Sequence, residues 1–183
     1  EGGLITMNKV NYYKTAKLVR SHGIARNDGE YWKNKIEIEG MNFRLSDINA
    51  ALGISQLNHL VDFINSKKNI ATKYDKAIQG LKNIELMPRL DWGESSCWLY
   101  SIKTGNKHIS LSLINYLKNK NIESKLFWNA LSIQPPYKNF PSILNGTSES
   151  LSGCIVSLPC STSMTEIEQD RVINSVKKWN LQI

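Results

Sequence analysis

The feature that most constrains this chain is one long apolar-periodic run. Ile48, Ala51, Leu52, Leu57, Leu60, Val61, Ile64, Ile70, Ala71, Tyr74 and Ile78 recur at helical spacing. Ser46 stands where an N-cap is wanted, and Gly80 where a helix can stop. The spacing predicts one helix over residues 46–80, about 50 Å long at roughly 1.5 Å per residue. A helix that long ties two domains together or runs along a subunit interface; a plain bundle helix is the alternative. It divides the chain into residues 1–45, a bridging helix over 46–80, and a second domain over 81–183.

The flanking segments read differently. Residues 3–7 are β-branched and apolar after two glycines, which predicts a short strand. Residues 8–20 carry a helical pattern that stops at His22-Gly23. Residues 24–40 show no periodicity, and loops of that length are commonly functional. Beyond Gly80, strands are predicted over 83–87, 97–102, 122–128 and 154–158, with helices over 110–120 and 148–152. Thr165-Glu166-Ile167-Glu168 is a capping box that opens a last helix. That order describes an α+β domain with a small sheet and helices on one face.

Composition excludes several classes. With 41% hydrophobic and 21% charged residues, the chain lies outside the range of disorder. The net charge of +7 is dispersed, without an Arg-rich stripe, so nucleic acid is not an expected partner. No apolar run approaches the roughly 20 residues of a membrane span. Cys97, Cys154 and Cys160 form no Cys-x-x-Cys, and His22, His59 and His108 are not spaced to join them around a metal. Reduced thiols in a cytoplasmic protein are expected. Glu1-Gly2-Gly3 carries neither an initiator Met nor a basic leader, which suggests an excised interior. Gly-x-Ser-x-Gly, Walker and Gly-x-Gly-x-x-Gly motifs are absent.

One block is specific. Gly40-Met41-Asn42-Phe43-Arg44-Leu45-Ser46-Asp47, followed by Ile48-Asn49-Ala50-Ala51-Leu52-Gly53, resembles a hallmark of the DegT/StrS sugar-nucleotide aminotransferases. Glu1-Gly2-Gly3 resembles the segment after the catalytic lysine in that family, and Arg20-Ser21-His22-Gly23 its Arg-x-His-Gly. Ile133-Gln134-Pro135-Pro136-Tyr137 and Leu158-Pro159-Cys160-Ser161 resemble its late motifs. The resemblance implies an α/β, fold-type I architecture: residues 1–45 end the large domain, the helix bridges, and 81–183 form the small domain. It implies pyridoxal 5'-phosphate (PLP) as cofactor, transfer of an amino group from glutamate to a keto nucleotide-sugar, and a homodimer with shared active sites. The texture is closest to enzymes of nonulosonic-acid pathways.

The resemblance also places residues. Asn42 would hydrogen-bond the PLP phosphate of the neighbouring subunit; the plainer reading is a loop Asn before the Ser46 cap. Arg44 would bind phosphate or substrate, or else pair with Asp47. Tyr31 and Trp32 would stack on the substrate, or pin their loop. Gln134 and Tyr137 would reach the site, or pack as turn residues. His22 caps a helix C-terminus rather than catalysing, and Ser132 stands where many members carry a His. The Schiff-base lysine, the Asp facing the pyridine nitrogen and the ring-stacking aromatic all precede Glu-Gly-Gly in the family. No residue here is therefore assigned as catalytic or as a metal ligand, and the chain alone is expected to be inactive. A non-catalytic dimerisation or binding module, and a family dehydratase, remain the alternatives.

Overall fold

The computed structural model describes residues 2–25 and 35–183 of the 183-residue chain. Tyr31 and Trp32 lie outside the described residues. The chain forms two compact units, Glu1–His59 and Leu60–Ile183.

The first unit holds α1 (Val10–Arg20) and α2 (Asp47–Leu57). α1 ends where the sequence demands it: His22 and Gly23 both take left-handed backbone, with φ of 61° and 70°. Ser46 caps α2, its side chain accepting from the Asn49 N–H at 3.3 Å. The expected strand over residues 3–7 does not form. No ladder among the described residues of the unit accepts it, and Leu4 is 89% exposed. Residues 24–40 were expected to be irregular; the ends of that stretch are joined by an antiparallel bridge between Ile24 and Ile36.

The single helix expected over 46–80 is also corrected. α2 stops at Leu57, Asn58 and His59 form a turn, and a new helix, α3 (Leu60–Ile78), begins. The His59 N–H bonds the Gln56 carbonyl, a tighter i−3 closure. Asn and His are poor helix residues, and Asn competes for backbone bonds. Apolar periodicity cannot see such a break, because the pattern runs on across it.

The second unit contains α3, β1 (Ile84–Leu86), β2 (Tyr100–Thr104), α4 (Lys107–Asn119), β3 (Lys125–Leu126), α5 (Thr147–Leu151), β4 (Ile155–Leu158) and α6 (Glu166–Asn180). The strands form an antiparallel sheet in the order β1-β2-β4-β3. The predicted element order is present, with two shifts. β2 starts at Tyr100 rather than residue 97, because Cys97 has φ 53° and cannot continue a strand. β3 is only two residues long, although the Phe127 N–H still reaches the Ile155 carbonyl at 2.9 Å.

Alternation along the strands sends Ile84, Tyr100, Ile102, Val156 and Leu158 into one core. They meet Ile70, Ala71, Tyr74 and Ile78 of α3, Leu113 and Leu117 of α4, and Val172, Ile173, Val176 and Trp179 of α6. Two polar groups drawn inside are paired there: the Trp179 indole donates to Ser112 Oγ at 3.1 Å, and Gln169 donates to the Ile70 carbonyl at 2.8 Å. The other sheet face carries the Glu85–Lys103 ion pair and the Ser101–Ser157 hydroxyl pair. α6 opens on the predicted capping box, with Thr165 and Glu168 bonded reciprocally.

Candidate functional site

A helix leaves its last carbonyls without internal partners. In α1 the Leu18 carbonyl accepts from the Ser21 and Gly23 N–H groups, and the Val19 and Arg20 carbonyls are met by residues 41–43. The Met41 N–H donates to the Val19 carbonyl at 2.8 Å, and the Phe43 N–H to the Arg20 carbonyl at 2.9 Å. The His22 N–H returns a bond to the Met41 carbonyl at 3.0 Å, and Asn42 bridges antiparallel to Ser21. Below this, the Glu37 N–H bonds the Gly23 carbonyl at 2.9 Å. The Asn-x-Arg segment is thus fixed at backbone level against the end of a helix.

Its side chains are not similarly engaged. Asn42 and Arg44 are both exposed, and neither side chain has a hydrogen-bond or ion-pair partner among the described residues. The pairing of Arg44 with Asp47 considered from sequence does not form. Asn42 and Arg44 lie two residues apart on this exposed run, so an amide and a guanidinium are offered from the same short segment. An amide N–H and a planar cation are both donors suited to an anion such as phosphate. The residues present fit a phosphorylated cofactor's anionic end.

In the second unit, Gln134 joins two short 3₁₀ turns, Leu131–Ile133 and Pro135–Tyr137. Its own N–H bonds the Leu131 carbonyl, and its carbonyl accepts from the Tyr137 N–H, each at 3.0 Å. Tyr137 is half exposed, edge-on to Phe140 with ring centroids 6.2 Å apart. Gln134 and Tyr137 therefore share one loop. Ser132 bonds the Glu149 carboxylate, which holds that carboxyl below its ordinary range. Ala130 is tied to Ser152 Oγ at 3.0 Å.

Sequence reasoning missed a further cluster in this unit. The rings of Trp98 and Trp128 stack with centroids 5.8 Å apart, and each residue is 65% exposed. Phe127 meets Trp128 edge-on, and Trp98, Phe127, Arg89, Cys97 and Ser101 line a cavity of about 340 Å³. The Arg89 guanidinium is held by Asp75 Oδ2 at 2.9 Å and Cys97 Sγ at 3.3 Å. Asp75 Oδ1 also accepts from the Tyr100 hydroxyl at 2.8 Å. The cluster joins three separate stretches, Asp75, residues 89–101 and residues 127–128, which only the fold collects. The one sequence signal was the density of aromatics around 92–100 and 127–140.

Residues 1–177 match the DegT/DnrJ/EryC1/StrS aminotransferase family. The chain belongs to that family. Family members use pyridoxal phosphate and act on sugars. Among curated relatives, a protein of Bacillus subtilis (strain 168) named as a pyridoxal phosphate-dependent aminotransferase, EpsN, is 30% identical over 197 residues, covering 100% of this chain and 49% of its own length. The GDP-perosamine synthase of Caulobacter vibrioides is 27% identical, over 94% of this chain and 46% of that protein. Among solved structures, Helicobacter pylori PseC, an aminotransferase of pseudoaminic acid biosynthesis, superposes with a TM-score of 0.84 at 23% identity, covering 96% of this chain and 48% of that one. A family member from Brucella abortus gives 0.79 at 26% identity over 94% and 44%. The chain spans about half the length of the relatives it matches.

Among the described residues, no cluster of three or more His, Cys, Asp or Glu is placed to hold a metal. No described helix is long and apolar enough to cross a membrane. Cys97, Cys154 and Cys160 are free thiols.

Proposed function

We propose that this family member supplies the cofactor-phosphate contact and the small domain of an enzyme that moves an amino group from glutamate to a keto nucleotide-sugar. The observation that carries the reading is the Asn42–Arg44 pair: exposed, without side-chain partners among the described residues, and held on a backbone fixed to α1. Bound pyridoxal phosphate would supply the electron sink that makes amino-group movement feasible. In this scheme Asn42 donates its amide N–H to a phosphate oxygen, and Arg44 adds a charge-assisted contact to phosphate or substrate. The Gln134–Tyr137 loop, with Tyr31 and Trp32, contributes substrate contacts.

The anchoring lysine is proposed to come from outside these 183 residues. Several lysines here are already engaged: Lys73 with Asp170, Lys103 with Glu85 and Lys125 with Glu123. An ordinary surface lysine near pKa ~10.4 is a poor nucleophile at neutral pH. A homodimer is proposed because α2 exposes Ile48, Leu52, Ile54 and Leu57 and buries no residue. A helix apolar all round is normally covered by protein.

The test is PLP retention by the longest gene product that carries this sequence. Asn42→Ala removes a bond typically worth about 1.5–3 kcal/mol, so retention should weaken roughly 10- to 100-fold while the dimer persists. Retention equal to the unsubstituted protein refutes the phosphate contact.

A further inference from the structure

We infer that Gly23 and Gly40 are positioning residues for the Asn42–Arg44 pair, an inference that rests on the phosphate reading above. The two glycines interlock backbone against backbone. A Cβ at Gly40 would lie 2.1 Å from the Gly23 nitrogen and 2.6 Å from the His22 carbonyl carbon. A Cβ at Gly23 would lie 1.7 Å from the Ile38 carbonyl oxygen, and the left-handed φ of 70° penalises any side chain there as well. The obstacles are main-chain atoms in both cases, so no rotamer change relieves them. By contrast, a Cβ at Gly53 meets nothing within 4 Å.

This contact sets how close the 40–43 run comes to the end of α1. The bonds from Met41 N–H to Val19 and from His22 N–H to Met41 sit beside it, with Phe43 N–H to Arg20 following. Asn42 lies between Met41 and Phe43, so its position is fixed by the same contact. Even alanine at Gly40 pushes the run off the helix end and carries Asn42 away from its place there. Neither glycine touches the ligand; each acts through Asn42.

The experiment has two arms. In the 183-residue chain, Gly40→Ala should lose amide-exchange protection at Met41 and Phe43 by roughly 10-fold or more as the local structure opens, whereas Gly53→Ala should leave both protected. Protection unchanged in Gly40→Ala overturns the inference. In the longest gene product, PLP retention is measured for Gly40→Ala, Asn42→Ala and the double variant. Residues acting as one unit are not additive, so all three should show a similar loss, about 10- to 100-fold by the single-bond range. A double variant whose loss is the product of the singles shows independent effects and overturns the positioning role. Full retention by Asn42→Ala would sink the phosphate reading, and positioning with it, even while the exchange result stood.

Discussion

Asp75 is the hinge of the second unit's polar structure, and its removal should be costly. Its Oδ1 accepts from the hydroxyl of Tyr100, a residue only 5% exposed, and its Oδ2 from Arg89. Burial, with the Asp75 hydrogen bond next, pushes the Tyr100 hydroxyl well above its ordinary pKa of 10.0, so Tyr100 remains a neutral donor. Asp75→Ala strands that donor, and a hydrogen bond to a charged partner contributes about 1.5–3 kcal/mol. The Arg89 pair is more open, with side chains 49% and 28% exposed, and adds no more than about 1 kcal/mol. The loss should total roughly 2–4 kcal/mol. Asp75→Asn, which keeps an acceptor for Tyr100, should cost less than half of that. Urea unfolding followed by tryptophan fluorescence measures it, because Trp92, Trp98, Trp128 and Trp179 all lie in this unit. A double-mutant cycle with Tyr100→Phe should give a coupling near the single-bond value. Asp75→Ala within about 0.5 kcal/mol of the unsubstituted chain, the scatter of ordinary surface changes, would refute the reasoning.

Two further predictions concern the same unit. The backbone N–H and hydroxyl of Thr165 hold the Glu168 carboxyl below its ordinary value of 4.5, so the capping-box contribution is complete above 4.5 and is lost as pH falls through the lowered value. Amide exchange at the start of α6 should rise over that window; Thr165→Ala, which keeps the backbone donor, should weaken the pH dependence, and Glu168→Gln should abolish it. Leu113, fully buried among α4, α6 and the sheet, should cost about 2–5 kcal/mol when cut to Ala, while Ile143→Ala on the exposed loop should stay within about 0.5 kcal/mol; urea midpoints distinguish the two.

The second unit was largely legible because its determinants are local. The Thr165–Glu168 box, the 3.6-residue spacing along α4 and α6, and the alternation through Ile102 and Val156 each act within a few residues. Where legibility failed, the deciding contact lay elsewhere. The strand expected at 3–7 has the right residues, but a strand exists only against a neighbour. The break at Asn58-His59 is carried by two polar residues inside an unbroken apolar pattern. The Trp98–Trp128 stack joins two loops, and the Asp75 hub joins α3 to Arg89 and β2, contacts that only tertiary packing makes.

The candidate site was legible in one respect only. The motif shared with the family marked Asn42 and Arg44 as candidates, while the backbone contacts that hold their segment against α1 were invisible in the sequence. His22 illustrates this. It stops α1 with a left-handed φ and bonds Met41 through its backbone, contacts that do not depend on its imidazole.

Asn42 is proposed to complete a cofactor pocket in a second copy of the protein. Mixing the Asn42→Ala form of the longest gene product with a form lacking the anchoring lysine tests this most directly. If Asn42 acts across the interface, the mixed dimer has one pocket with both defects and one with neither. The account predicts that transamination, absent from the lysine-deficient parent and weak in the Asn42→Ala parent, rises in verified heterodimers toward half the unsubstituted rate. Heterodimers that regain nothing would show each pocket still carrying a defect, and would contradict the shared site.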